Sequence, residues 1–443
     1  MLLTEKEARA VTDRMLSFVK ADDASVSVNS ERLAHLRFAV NNFLTSGVRD
    51  NRGANVAVWI EGKRGSASTN DTDDASLREA VEQAEQIARL APVDREYLPT
   101  LGQQIYKPVN AYVEATANIT PAARAKALGA ILAESERARV VSAGFHQART
   151  QAGAFATKNG NFSYERKTVV SLSMTSRTPD GASSGYFQRS HFDVARLDTG
   201  RIAREAIRKA LEGRNARALE PGVYTVILEP QAVADLIDSM AFDARSAEEG
   251  RSPYSAPNGK TRLGEKIFDA RLSIYSDPWN PELPGSQAAQ GGIPAERIYL
   301  VKNGALENLT YTRFWAKQRT QEPTPGPVNF ILETGAERAS TEAMIRSTAR
   351  GLLISRFWYI RSTDPRTASL TGLTRDGVWY IEGGKIQYPV KNFRFNQSII
   401  GMLAPGNVEM IGASERVGDA EGASLLPALK LKAFNFTSQS EAV

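Results

Sequence analysis

Beyond residue 250 the chain is cut into short apolar runs by Asn303–Gly304, Asp376–Gly377 and Gly383–Gly384. That punctuation admits few architectures. Asn-Gly and Asp-Gly supply the positive φ that a two-residue hairpin needs, so each dipeptide reads as a turn between antiparallel strands. The run Arg297–Lys302 precedes the first turn and Ala305–Thr312 follows it. The later turns divide the stretch that leads to Val390. One helix interrupts the series, from about Thr341 to Arg350, with Gly351 where a left-handed cap would stand. Segments 252–260 and 277–294 are rich in Pro, Gly and Asn and read as surface loops, which often carry function. The second half is therefore expected to be mainly antiparallel β.

The first half has a different rhythm. Ala8, Val11, Met15 and Phe18 recur every three or four residues and predict a helix over Thr4–Lys20, with Thr4 and Glu7 as a capping box. The period then falls to two, with Ala24, Val26 and Val28 and again Leu36, Phe38 and Val40 marking strands. Val56–Ile60 is a further strand, closed by a turn at Glu61–Lys63. Ser76 and Glu79 predict a second helix to about Leu90. After an irregular stretch at 92–118, Thr120 and Pro121 predict a helix to about Arg139, and Asn159–Gly160 predicts a hairpin. A helix over 196–212 and a buried strand over Val223–Leu228 follow. The fold class is α+β: an N-terminal α/β sandwich domain over 1–220, then a mainly antiparallel β-rich domain over 221–443.

Composition excludes several chemistries. None of the 443 residues is cysteine, so disulfides, thiolate nucleophiles and cysteine-ligated metals are ruled out. The three histidines, His35, His146 and His191, lie in strand-like segments with no second histidine at a ligand spacing. Net charge is +5 with the basic residues dispersed, which lacks the clustered patch expected of a nucleic-acid binder. No apolar run approaches a membrane span or a signal-peptide core, so the chain reads as cytoplasmic. No phosphate-binding glycine loop or GxSxG elbow occurs.

Residues Gly351 to Gln397 carry the most specific pattern: Trp358–Arg361 (WYIR), Asp364–Thr367 (DPRT), Leu373–Gly377 (LTRDG), Ile381–Lys385 (IEGGK), Pro389–Asn392 (PVKN) and Phe393–Phe395 (FRF). This run resembles the C-terminal signature of the TldD/PmbA family, and Gly264–Ile267 and the Asn303–Gly304 hairpin fit it too. The resemblance implies a dimer enclosing a cavity and proteolysis of unfolded peptides or precursors. It also implies that the active subunit holds zinc through an HExxxH motif on a helix and a cysteine near the C-terminus.

The matching helix here, about Pro230 to Ala247, has no histidine, and no cysteine stands near Gly412–Ser424. A zinc hydrolase needs imidazole or thiolate ligands and a carboxylate to activate water. This sequence is closest to the PmbA/TldE kind of subunit. Asp235, Asp238 and Asp243 on the same helix suit a solvated face better than a cation site. The sequence identifies no catalytic residue, metal ligand or cofactor. It points to a non-catalytic or regulatory subunit with a zinc-bearing, TldD-like partner. The alternative is a homodimeric peptide-binding scaffold of the same fold. A strand over Leu352–Arg361 would place Phe357, Tyr359 and Arg361 on one face and Arg356, Trp358 and Ile360 on the other. Arginine among aromatics on both faces suggests a peptide-contacting wall, with Arg356, Trp358, Tyr359 and Arg361 as its candidate residues.

Overall fold

The computed structural model describes residues 2–237 and 239–440. Six strands form the first sheet: β1 (Asp23–Ala39), β2 (Asn42–Ile60), β3 (Lys63–Thr69), β4 (Val141–Thr157), β5 (Phe162–Arg177) and β6 (Ser184–His191). Their order is β3-β2-β1-β4-β5-β6, antiparallel throughout. Helices α1 (Glu5–Phe18), α2 (Asp74–Leu90), α4 (Pro121–Arg137) and α5 (Thr199–Glu212), with the one-turn α3 (Glu114–Ala117), complete this lobe. Ala24 and Val26 pack under α2, while Leu36 and Phe38 pack under α4 and α5. These are alternate residues of one strand, so the helices share one face of the sheet.

The α1 capping box forms as expected from Thr4 and Glu7. The second helix begins three residues earlier than its Ser76–Glu79 pattern suggests, because Asp73 caps it by accepting from the Ala75 and Ser76 amides. Val40 is not in a strand. It turns with Asn41 at positive φ and is 68% exposed.

The second sheet has eleven strands. They are β7 (Gly222–Leu228), β10 (Ser273–Ser276), β11 (Ile298–Lys302), β12 (Ala305–Leu306), β13 (Phe330–Glu333), β14 (Arg350–Asp364), β15 (Ser369–Glu382), β16 (Lys385–Pro389), β17 (Phe393–Ser398), β18 (Val408–Gly418) and β19 (Ala423–Gln439). The remaining two, β8 (Ser255–Ala256) and β9 (Lys260–Thr261), pair with each other. β7 pairs with both β14 and β19, so the path β7-β14-β15-β17-β19 closes on itself. Phe357, Phe393, Phe395, Phe434 and Phe436 share its core, with ring centroids as close as 4.7 Å. Most pairings are antiparallel, as the turn dipeptides suggest; β14–β7 and β13–β19 are parallel. Short helices α6 (Pro230–Ile237), α7 (Ala244–Glu248), α8 (Arg313–Arg319), α9 (Thr341–Arg346) and α10 (Ile399–Met402) complete the lobe. No helix among the described residues is long and apolar enough to cross a membrane.

Two expectations fail here for clear reasons. The helix expected over Pro230–Ala247 is broken. α6 ends at Ile237, Phe242 turns into the core, its carbonyl accepts from the Thr310 amide, and Asp243 caps α7 by accepting from the Ser246 amide. Gly351 does not cap α9. It lies in β14, where a Cβ would sit 2.6 Å from the Thr225 carbonyl oxygen of β7, so the parallel pairing requires a glycine there.

Candidate functional site

The two lobes meet around a cavity of about 900 Å³. Its floor is apolar: Leu353 of β14, Trp379 of β15, Ala428 of β19 and Ile345 of α9. Strand alternation turns these side chains outward from the closed ring, and burial of the opposite set inside the ring fixes that register.

Charge surrounds the floor. Arg189 of β6 and Arg201 of α5 each place an Nη2 2.9 Å from Glu415 Oε2 of β18. Burial pushes the Glu415 carboxyl up, but Arg189 and then Arg201 outweigh it and hold it below the usual carboxylate range. Burial lowers Arg189, whose guanidinium also stacks 4.2 Å from Phe187. Along α5, Arg208 reaches Glu205 at 2.8 Å and Glu212 at 2.5 Å. Beneath the wall, Lys209 Nζ lies 2.5 Å from both Glu229 Oε2 and Ser355 Oγ. Lys209 and Ser355 are each 1% exposed. The ion pair and the Ser355 hydrogen bond tie a helix of one lobe to the end of β7 and the interior of β14 in the other.

The residues singled out from sequence lie elsewhere, along the outer half of β14. Arg356 Nη1 is 3.5 Å from Asp376 Oδ2, and its guanidinium stacks 3.9 Å from the Tyr186 ring. Trp358 is 40% exposed and Tyr359 61%. Arg361 donates from Nη1 to the Ile360 carbonyl and sits 5.4 Å from the Tyr359 ring. None of the four lines the cavity. The expected alternation is also overturned. A bulge puts Tyr359 at φ 57°, so Phe357 and Ile360 pack toward the core while Trp358 and Tyr359 both face out.

The donor chemistry does not fit zinc. No histidine lines the cavity and the chain has no cysteine. His35 and His146 occupy neighbouring registers in β1 and β4, and His191 ends β6. Among the described residues no group of three or more His, Cys, Asp or Glu could hold a metal ion. Asp235 accepts from the Phe357 amide and the Gln231 side chain, and Asp243 is spent on its cap. Asp238 lies outside the described residues.

Sequence reading missed the cavity itself. Its Arg189–Glu415 and Arg201–Glu415 pairs join residues 226 and 214 positions apart, and nothing local marks them.

The whole architecture recurs in solved proteins. The structure of TldE from Thermococcus kodakarensis superposes with a TM-score of 0.85 at 17% identity, covering 97% of this chain and 99% of that one. A Thermotoga maritima protein described as a candidate modulator of a DNA gyrase gives 0.84 at 17% identity, covering 97% and 100%. These likenesses establish the fold. A "Metalloprotease" of Methanothermobacter thermautotrophicus is 23% identical over 285 residues, 60% of this chain. The match spans 61% of that relative's length. Three family models match in order: PmbA/TldA metallopeptidase domain 1 over 24–88, the central domain over 110–214 and the C-terminal domain over 221–438. The chain belongs to the PmbA/TldA metallopeptidase family.

Proposed function

We propose that this chain is a non-catalytic or regulatory subunit of a TldD/PmbA-type metalloprotease complex acting on unfolded peptides or precursors in the cytoplasm. The observation that carries this reading is the lining of the inter-lobe cavity: an apolar floor under paired arginines and glutamates, with no imidazole or thiolate among the side chains. A metalloprotease draws its nucleophile from metal-bound water, and that water needs ligands of the missing kinds. A cavity with both apolar area and charge still suits an unfolded chain, which presents both. In this reading residues 1–220 and 221–443 act as two units that build the cavity between them. Zinc chemistry belongs to a partner subunit of the same fold.

The test is cleavage of a fluorescent unfolded peptide by the purified chain, alone and mixed with a family member that carries HExxxH. The chain alone should give none, and the mixture should cleave in a chelator-sensitive way. Chelator-resistant cleavage by the repurified chain alone would overturn the reading.

A further inference from the structure

We propose that the outer half of the β14–β15 hairpin is a docking site for an extended, carboxylate-rich polypeptide segment. The proposal deepens the function above by naming the chemistry of the captured chain. Its test measures binding to the isolated protein, so its failure leaves the cleavage assay standing.

β7 pairs with β14 only from Gly351 to Ile354. The Phe357 amide is then capped by Asp235 at 2.7 Å. From Trp358 to Asp364, β15 is the one neighbouring strand of β14 among the described residues. The other edge of this stretch pairs with no strand among the described residues, and a free strand edge is what an added strand uses.

The bulge at Tyr359 sets two aromatic rings beside that edge. A bulky residue at φ 57° is strained and rare, and a bulge re-aims side chains that alternation would separate. Trp358 and Tyr359 meet edge to face at 4.9 Å, both in solvent.

Basic groups frame them. Register places Arg356 opposite Arg375, and Trp358 in one row with Leu373 and Arg394, so these side chains share the outer face of three strands. The Arg375 guanidinium lies 3.9 Å from the Trp358 ring, and Arg361 lies over Tyr359. The carboxylates of the outer half are Asp376, 5% exposed and paired with both Arg356 and Arg375, and Asp364, paired with Arg366. Arg361 and Arg394 carry charge beyond those pairs, so the face is net positive, and guanidinium forks match carboxylates. Single-stranded nucleic acid could also stack on the rings, but it has no use for the strand edge. A polypeptide rich in Asp and Glu uses all three features.

The experiment is fluorescence anisotropy of the full chain with three labelled probes: a short Asp/Glu-rich peptide, its Asn/Gln counterpart, and a single-stranded DNA oligomer. The acidic peptide should bind at least about tenfold more tightly than the neutral one, weaken with salt, and lose binding when its backbone amides are N-methylated. Trp358→Ala and the double variant Arg361→Ala/Arg394→Ala should each weaken it by about tenfold. Circular dichroism confirms that each variant folds, and Arg361→Lys, which keeps charge but loses the fork, should fall between. Equal binding of neutral and acidic peptides, wild-type binding by both variants, or binding of the DNA alone would overturn the proposal.

Discussion

The two sheets obey different rules. In the six-stranded sheet, β1–β4, β4–β5 and β5–β6 run in unbroken register, and the one shift in the sheet falls beside the β1–β2 turn. In the larger sheet, β14–β15 slips three times, β18–β19 twice, and β7–β19 and β17–β19 once each. An open layer under helices is satisfied by simple alternation. A path that closes on itself must bend, and bulges supply the bend. The irregular lobe also carries most of what could recognise a ligand, including the exposed Trp358 and Tyr359 and much of the cavity floor. Regularity in one lobe gives a stiff wall; irregularity in the other aims side chains.

Four substitutions would sharpen or break that contrast. The largest effect should come where the lobes are tied. Lys209→Met leaves the Glu229 carboxylate without its buried cation and should cost on the order of 3–5 kcal/mol in urea denaturation. The double variant Lys209→Met/Glu229→Gln should recover much of the loss. If Lys209→Met alone costs under about 1 kcal/mol, the pair is not a tie between lobes.

Next is a pH effect confined to the regular lobe. Burial and then Arg124 lower His146 from 6.5 to about 4. The neutral ring's stabilisation is therefore complete above pH 6.5 and is lost as pH falls toward 4. The difference corresponds to on the order of 3 kcal/mol. His146→Leu should flatten the stability profile over that window. An unchanged acid limb would show that another group drives it.

Smaller is the strain at Tyr359. Tyr359→Gly removes a left-handed tyrosine and should raise stability by about 0.5–1 kcal/mol, while weakening the acidic-peptide binding proposed above. A lower melting temperature would mean that the exposed ring holds the hairpin together. Smallest is Arg14→Ala on the helical layer. Its partner Asp74 is 62% exposed and Arg14 itself 52%, so the change should stay within about 1 kcal/mol and shrink further in salt.

Much of the fold was legible because its signals are local. Alternation over Ala24–Val28, the Thr4–Glu7 box, the proline after Thr120 and the dipeptides at Asn159–Gly160 and Asn303–Gly304 each depend on neighbours within a few residues. The break in the helix after Pro230 was not legible. An apolar stripe continues through Met240 and Ala244, but Phe242 and Asp243 find better partners in Thr310 and in a new cap. The faces of β14 were misjudged because alternation presumes an unbulged strand.

The sequence alone determined the α+β class, the order of most helices and strands, the absence of thiol chemistry and the family signature in residues 351–397. It did so because backbone preference and hydrophobic period act over a few residues. Tertiary structure decided the closure of β7 onto both β14 and β19, the burial of Lys209 against Glu229, and the gathering of Arg189, Arg201 and Glu415 around one cavity. Each of those contacts joins distant parts of the chain, and long-range contacts are fixed only when the whole core chooses its packing.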